Sequence, residues 1–152
     1  MTLICIGIAA LLFAADVVIK QHIEDHFEKG EKQAVFDQKA ELRKVHNYGF
    51  AMNLFEKKPN IVKICSIIGG VTLAFYSISL FLKKGRMFEK LGSALALGGA
   101  FSNMYDRIVR GYVVDYIGFM TKWKKLRKMT FNLGDFGIII GAFLILVFGK
   151  KK

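Results

Sequence analysis

Charge is missing from four long runs of this 152-residue chain: residues 1–15, 64–82, 91–105 and 136–149 contain no Asp, Glu, Lys or Arg, although charged residues make up 23% of the whole. In a soluble protein those charges would be interspersed through the apolar segments, as on amphipathic helices. Their segregation, with 53% hydrophobic residues and a mean hydropathy of +0.36, is membrane patterning. It excludes a soluble globular enzyme and a disordered tail. Cysteine is scarce too. Cys5 and Cys65 lie within or at the start of apolar runs with no CxxC spacing, which excludes a disulfide-stapled secreted mini-domain and argues against a zinc site. No Lys or Arg precedes the first run, so it lacks the n-region of a cleaved signal peptide and is expected to be a retained helix. No repeat, low-complexity tract or linker interrupts the chain, and residues 1–152 are expected to form one domain. The net charge of +11 comes with no nucleic-acid-binding signature. The basic residues flank apolar spans, where membrane phospholipid is the nearer partner.

Crossing a hydrocarbon core of roughly 30 Å takes about 20 apolar residues in a helix. Four stretches approach that length once their flanks are included: about 1–19, 61–82, 88–105 and 131–149. The expected architecture is therefore an all-α integral membrane protein with four transmembrane helices. With alternating crossings, the ends of the first and third helices share a face with the beginnings of the second and fourth. Asp16, Asp106 and Asp135 all fall on that face. Ionisable groups at membrane depth are costly and are read as functional by default. Between the first two helices, residues 20–60 carry seven acidic and eight basic residues, too long a stretch for a simple turn. Residues 21–32 suit a short surface helix, and 34–47 suit two short strands. A second loop on the same face, 106–130, precedes the fourth helix.

The densest polar signal lies between residues 98 and 115. Asn103, Asp106, Arg107 and Arg110 are three or four apart, which puts them on one face at a helix end. A structural reading makes Asp106 and Arg110 a pair and Arg107 a snorkelling side chain. Gly98, Gly99 and Ala100 would let a neighbouring helix approach closely. Asp115 follows the break at Gly111 on what reads as an irregular segment able to aim back at the bundle. Asp135 lies three residues after Asn132, the spacing of a capping box at the positive end of a helix dipole. Capping and chemistry are compatible. Two partly desolvated aspartates side by side do not readily ionise together, so one keeps a proton while the other acts as a base, an arrangement that activates water for peptide hydrolysis. The competing class is a non-enzymatic scaffold or small transporter subunit in which the acids pair with Lys20, Arg107 and Arg110. Asp115 discriminates between the two, because it has no obvious basic partner in the sequence.

The run GGAFSNMYDRIVRGYVVDYI at 98–117, followed by FNLGDFGIIIG at 131–141, resembles the paired signature of lipoprotein signal peptidase, or signal peptidase II. D-x-x-x-K at Asp16 and Lys20, and N-x-G-x-A at Asn47, Gly49 and Ala51, match in order. The resemblance implies a four-helix aspartic endopeptidase of the bacterial cytoplasmic membrane with its site at the extracytoplasmic face and a small β-containing substructure there. Such an enzyme removes the signal peptide from prolipoproteins, cutting before the diacylglyceryl-modified cysteine, without a metal or other cofactor. It implies Asp115 and Asp135 as the catalytic pair, Asn103, Arg107 and Asn132 as residues lining the site, and Asn47, Asp16 and Lys20 as supporting residues. Asp106 is expected to be a structural partner because of its Arg neighbours, and a monomer is expected. The chain departs from the family's usual Gln at Val17, Ala at Phe50, Phe at Met52, Gly at Ser102 and Ala at Gly134. Phe50 and Met52 stand where the family contacts substrate, so substrate preference is expected to differ more than chemistry.

His22 and His26 have i, i+4 spacing but lack the acid that follows the first histidine of the zinc-protease motif, and they read as a solvated helix face. His46 reads as a loop residue, and Tyr112, Tyr116, Phe119 and Trp123 as an interfacial aromatic anchor. Charge counting does not orient the chain. The face opposite the acids holds seven basic residues (Lys83, Lys84, Arg86, Lys90, Lys150, Lys151, Lys152), and the loop after the third helix alone holds seven (Arg107, Arg110, Lys122, Lys124, Lys125, Arg127, Lys128).

Overall fold

The first charge-free run folds as α1, Thr2–His26, two turns longer than its apolar stretch predicts. The computed structural model describes residues 1–50 and 53–149; Ala51 and Met52, like Lys150, Lys151 and Lys152, lie outside the described residues. Continuation through residues 20–26, in place of a separate surface helix, has a packing cause. Ile23 and Phe27, four apart, bury against Val114 and Tyr116, and no Gly or Pro lies between Gly7 and Gly30. The other long helices are α2 (Pro59–Phe81), α3 (Met87–Val109) and α5 (Leu133–Phe148). Pro59 opens α2 at a position where its missing N–H costs nothing. Gly111, at φ 85°, ends the chain's helical course after α3.

α3 is the axis of the bundle and packs against α1, α2 and α5. It runs parallel to α1, with Ala9 beside Gly98 and Lys20 beside Asn103, and antiparallel to α5, with Gly141 beside Gly92 and Gly134 beside Gly99. It is also antiparallel to α2, where Ser77 meets Ser93 and Lys63 reaches the Ile108 carbonyl. A Cβ on Gly99 would fall 2.1 Å from the Gly134 carbonyl oxygen, so α3 and α5 touch backbone to backbone. The exterior of the bundle is apolar: Leu3, Leu11, Phe75 and Leu146 are 69–83% exposed. Its interior holds Asp16, Lys20, Asn103, Asp106 and Asn132. That inversion suits lipid as solvent. α1 and α2 are long and apolar enough to cross a membrane, and α5 is a shorter apolar helix.

A four-stranded antiparallel sheet, in the order β1 (Lys32–Val35), β2 (Ala40–Asn47), β3 (Val113–Phe119), β4 (Thr130–Phe131), lies at the end of the bundle that holds the acids. The first two strands answer the expectation for 34–47. The last two, with the five-residue helix α4 (Lys124–Lys128), replace the expected loop. Strand β3 alternates faces: Val114 and Tyr116 pack on α1, while Val113 and Asp115 turn to a cavity. Between Leu42 and Val45 the β2–β3 register slips by one residue, a bulge that sets Val45 opposite Asp115 and Asn47 opposite Val113. An unbroken ladder would put His46, not Asn47, on the face of Asp115.

Candidate active site

Lys20 lies at the centre of a buried polar network in which each partner is held by another. Its ammonium donates to Ser102 Oγ (3.0 Å) and Asn103 Oδ1 (2.8 Å) and lies 2.8 Å from Asp16 Oδ2 and 3.5 Å from Asp106 Oδ2. Asp16 also accepts from Ser102 Oγ (2.6 Å), Tyr116 OH (2.9 Å) and the Leu133 N–H (3.0 Å). Asp106 accepts from the Val114 N–H at 3.0 Å and pairs with Arg110. Two carboxylates therefore meet two cations, which is how buried charge is normally tolerated.

The remaining two acids are held differently. Asp115 Oδ1 accepts from Asn132 Nδ2 (2.8 Å) and its Oδ2 from Asn47 Nδ2 (2.9 Å). Asp135 Oδ1 accepts from Asn103 Nδ2 (2.9 Å) and its Oδ2 from the Asn132 N–H (3.0 Å). Asn132 joins the pair: its side chain accepts from the Asp135 N–H (2.8 Å) and donates to Asp115. The expected capping box is formed. Among the described residues, neither Asp115 nor Asp135 has a Lys, Arg or His nitrogen within 4.0 Å. Burial, then the nearby charge of Asp135, pushes the Asp115 carboxyl up to about 7, against the pull of its two amide donors.

Both acids open onto a cavity of about 670 Å³ that also receives Asn47, Phe50, Asn103 and Arg107. Arg107 does not snorkel. It is buried, donates to the Gly49 carbonyl (2.8 Å), and lies with Cζ 5.9 Å from the centre of the Phe50 ring. The structure thus gathers every candidate residue into one network: Asn47, Asn103, Asp115, Asp135 and Arg107 at the cavity, and Asp16, Lys20, Asp106 and Asn132 behind it; Asn132, expected to line the site, is fully buried and reaches it through the two acids.

Several expectations need correction. Asp115 is on a regular strand, not an irregular segment. Tyr116 is no surface anchor but a buried donor to Asp16, and Phe119 packs with Phe131 and Phe136, whereas Trp123 is 76% exposed. His46 lies in β2, with Nε2 2.8 Å from Glu24 Oε1 and its ring stacked on Tyr112. His22 and His26 stack on an exposed face, as read. Sequence reasoning missed the roles of Ser102 and Tyr116 in holding Asp16, and of Lys125 and Lys128 in lining the cavity. The alternation in VVDYIGF was the available signal for Tyr116.

The fold is that of a bacterial membrane enzyme. A solved structure so described, obtained by the in meso method, matches with a TM-score of 0.81 over 94% of this chain and 85% of that one at 24% identity. A second of the same description matches with a TM-score of 0.78 over 94% and 90% at 26% identity. Residues 8–149 match the family described as signal peptidase (SPase) II. Proteins named lipoprotein signal peptidase are similar along almost their whole length: one from Fusobacterium nucleatum subsp. nucleatum is 34% identical, covering 99% of this chain and 91% of the relative. One from Buchnera aphidicola subsp. Schizaphis graminum is 35% identical over 94% and 91%. The chain belongs to the signal peptidase II family, and its function is that of a membrane protease rather than of a scaffold or transporter subunit.

Proposed function

We propose that this protease is an aspartic endopeptidase that uses Asp115 and Asp135 to remove the signal peptide from prolipoproteins, cutting before the diacylglyceryl-modified cysteine. The supporting observation is the Asn132 bridge between two cavity carboxylates that lack cationic partners. A scaffold stabilised by ion pairs accounts for Asp16 and Asp106 but gives Asp115 no purpose. In this reading α1, α2, α3 and α5 cross the bacterial cytoplasmic membrane as one domain. The sheet and α4 lie on the extracytoplasmic side, and the protein works as a monomer among phospholipids, with neither metal nor other cofactor.

The pair shares one proton, and the cycle is assigned to begin with it on Asp115, whose carboxyl is pushed by burial up to about 7. Asp135 takes a proton from water as the water oxygen bonds to the scissile carbonyl carbon, and Asp115 gives its proton to the carbonyl oxygen. The resulting diol collapses: the C–N bond breaks, the leaving nitrogen takes the proton from Asp135, and a hydroxyl proton returns to Asp115. Asn47, Asn103 and Asn132 hold the two carboxyl groups through this cycle.

The test is cleavage of a diacylated prolipoprotein by the purified protein in detergent with a chelator present. Asp115→Asn and Asp135→Asn are each expected to abolish turnover in a folded protein, and the double variant to be no slower than either single one. Asp106→Asn is the comparison. It should lower thermal stability, by about 3 kcal/mol for a broken buried pair, while affecting turnover less than either other change. Near-normal turnover in Asp115→Asn or Asp135→Asn overturns the assignment.

A further inference from the structure

The cavity that holds Asp115 and Asp135 has two chemically different ends. Toward the bundle it is walled by Gly70 of α2, Ala100 of α3 and Ile138 and Ile139 of α5; toward the sheet it is walled by Lys125 and Lys128 of α4. The two lysines are three apart and so share one face of that helix. Residues 116–134 contain no acid. Whereas Lys32, Arg43, Lys44, Arg86 and Arg110 each have a carboxylate within 4.0 Å, Lys125 and Lys128 have none among the described residues. The carboxylates in the cavity are already engaged by Asn47, Asn103 and Asn132. The segment's backbone is held in place. Arg43 donates to the Met129 carbonyl (2.6 Å) and Thr130 Oγ1 (2.9 Å), clamping it to β2.

We propose that Lys125 and Lys128 are specificity-determining residues that favour substrates with acidic side chains at the first positions after the lipidated cysteine. The inference rests on the peptidase reading and assigns a selectivity to the same cavity. A substrate bound across Asp115 and Asp135 lays its apolar signal segment along the helix-lined end. Its mature chain, which leaves on the aqueous side, passes the lysine end. Two unpaired ammonium groups there attract Asp or Glu and repel Lys or Arg, acting on encounter and binding before chemistry.

The test uses synthetic diacylglyceryl-cysteine peptides with one signal segment and either Asp-Glu or Lys-Lys after the cysteine, assayed in a zwitterionic detergent. The wild-type protein is expected to show about a three- to tenfold higher kcat/KM for the acidic peptide, carried by KM and shrinking in high salt, as partly exposed pairs do. Lys125→Gln with Lys128→Gln should bring the ratio near one, and Lys125→Glu with Lys128→Glu should invert it. Because the readout is a ratio within each variant, lost expression or folding in one pair leaves the other to decide. Equal rates for the two peptides in the wild type, or an unchanged ratio in both variant pairs, overturn the proposal. So does a lysine effect that emerges only on adding anionic phospholipid, which assigns the lysines to headgroups. Failure to cut either peptide sinks the peptidase reading itself and this selectivity with it.

Discussion

Four aspartates gather within one polar network, and their surroundings divide them into two kinds. Asp16 and Asp106 face Lys20 and Arg110 across buried ion pairs. Asp115 and Asp135 receive only neutral N–H donors. For Asp115 the consequence is a stability that depends on pH. Its folded carboxyl titrates at about 7 against an ordinary 3.8, so between those values the folded protein holds a proton that the unfolded chain has released. Its contribution is fully present below pH 3.8, declines as pH rises, and is lost above about 7. Asp115→Asn removes the titration. The melting temperature of the variant relative to wild type, measured in detergent from pH 5 to 8, is expected to shift in the variant's favour up to about pH 7 and then level off. A difference that stays constant across that range refutes the account of Asp115. These two kinds of aspartate were only half legible in the sequence. The spacing of Asp106 and Arg110, and of Asn132 and Asp135, gave a pair and a capping box directly. Joining Asp115 to Asn132 required strands that bring residues 47, 115 and 132 together, and no local pattern encodes that.

Helices were legible as elements because charge is absent from their spans, but their ends were not. α1 runs on to His26 because its last turns pack on the sheet, and α3 runs to Val109, just before Gly111 at φ 85° ends the helical course. Strand β3 was hidden by Asp115 itself, a polar residue on its inward face. The α3–α5 contact shows how tightly these elements constrain one another. A Cβ at Gly134 would fall 2.8 Å from Asp16 Oδ2, 3.0 Å from the Gly99 carbonyl and 3.1 Å from Asn132 Oδ1. Asp16 does not yield freely, because Ser102 Oγ holds that same Oδ2 at 2.6 Å. The resemblance carries Gly and Ala where this chain has Ser102 and Gly134, so a hydroxyl on one helix stands in place of a methyl on the other. Gly134→Ala alone is expected to destabilise by about 2 kcal/mol through overpacking. Ser102→Gly is expected to cost less in the Gly134→Ala background than in the wild type, since Asp16, still held by Lys20 and Tyr116, loses one of the contacts that fix Oδ2. A double-mutant cycle on thermal unfolding measures the coupling. Strict additivity would mean that the two positions are independent.

At the scale of the whole molecule, the proposed function has a consequence for direction across the membrane. Two of the basic residues on the face opposite the acids are committed within the structure: Lys90 donates to the Phe81 and Lys83 carbonyls at the end of α2, and Arg86 pairs with Glu89. Charge counts therefore carry little weight, and it is the proposed function that would orient the chain, because a site that processes an exported, lipid-anchored substrate has to face outward. With Cys5 and Cys65 replaced, a single cysteine at Thr121 is expected to react with an impermeant thiol reagent on intact cells, and one at Gly85 is not. The reverse pattern overturns the topology and the prolipoprotein reading together. The placement of Lys20 also has a bearing on how the protein is made. Its partners Ser102 and Asn103 lie 82 and 83 residues further along the chain. At synthesis rates of about 5–20 residues per second, roughly 4–16 seconds pass before they leave the ribosome. Until then the acids within one turn of the lysine are Asp16 and Glu24, and in the proposed topology the acid-bearing end of the first helix is expected to stay at headgroup level, where a long side chain still reaches water. On that topology the newborn chain is expected to wait with one helix half seated until the arrival of the third lets it settle.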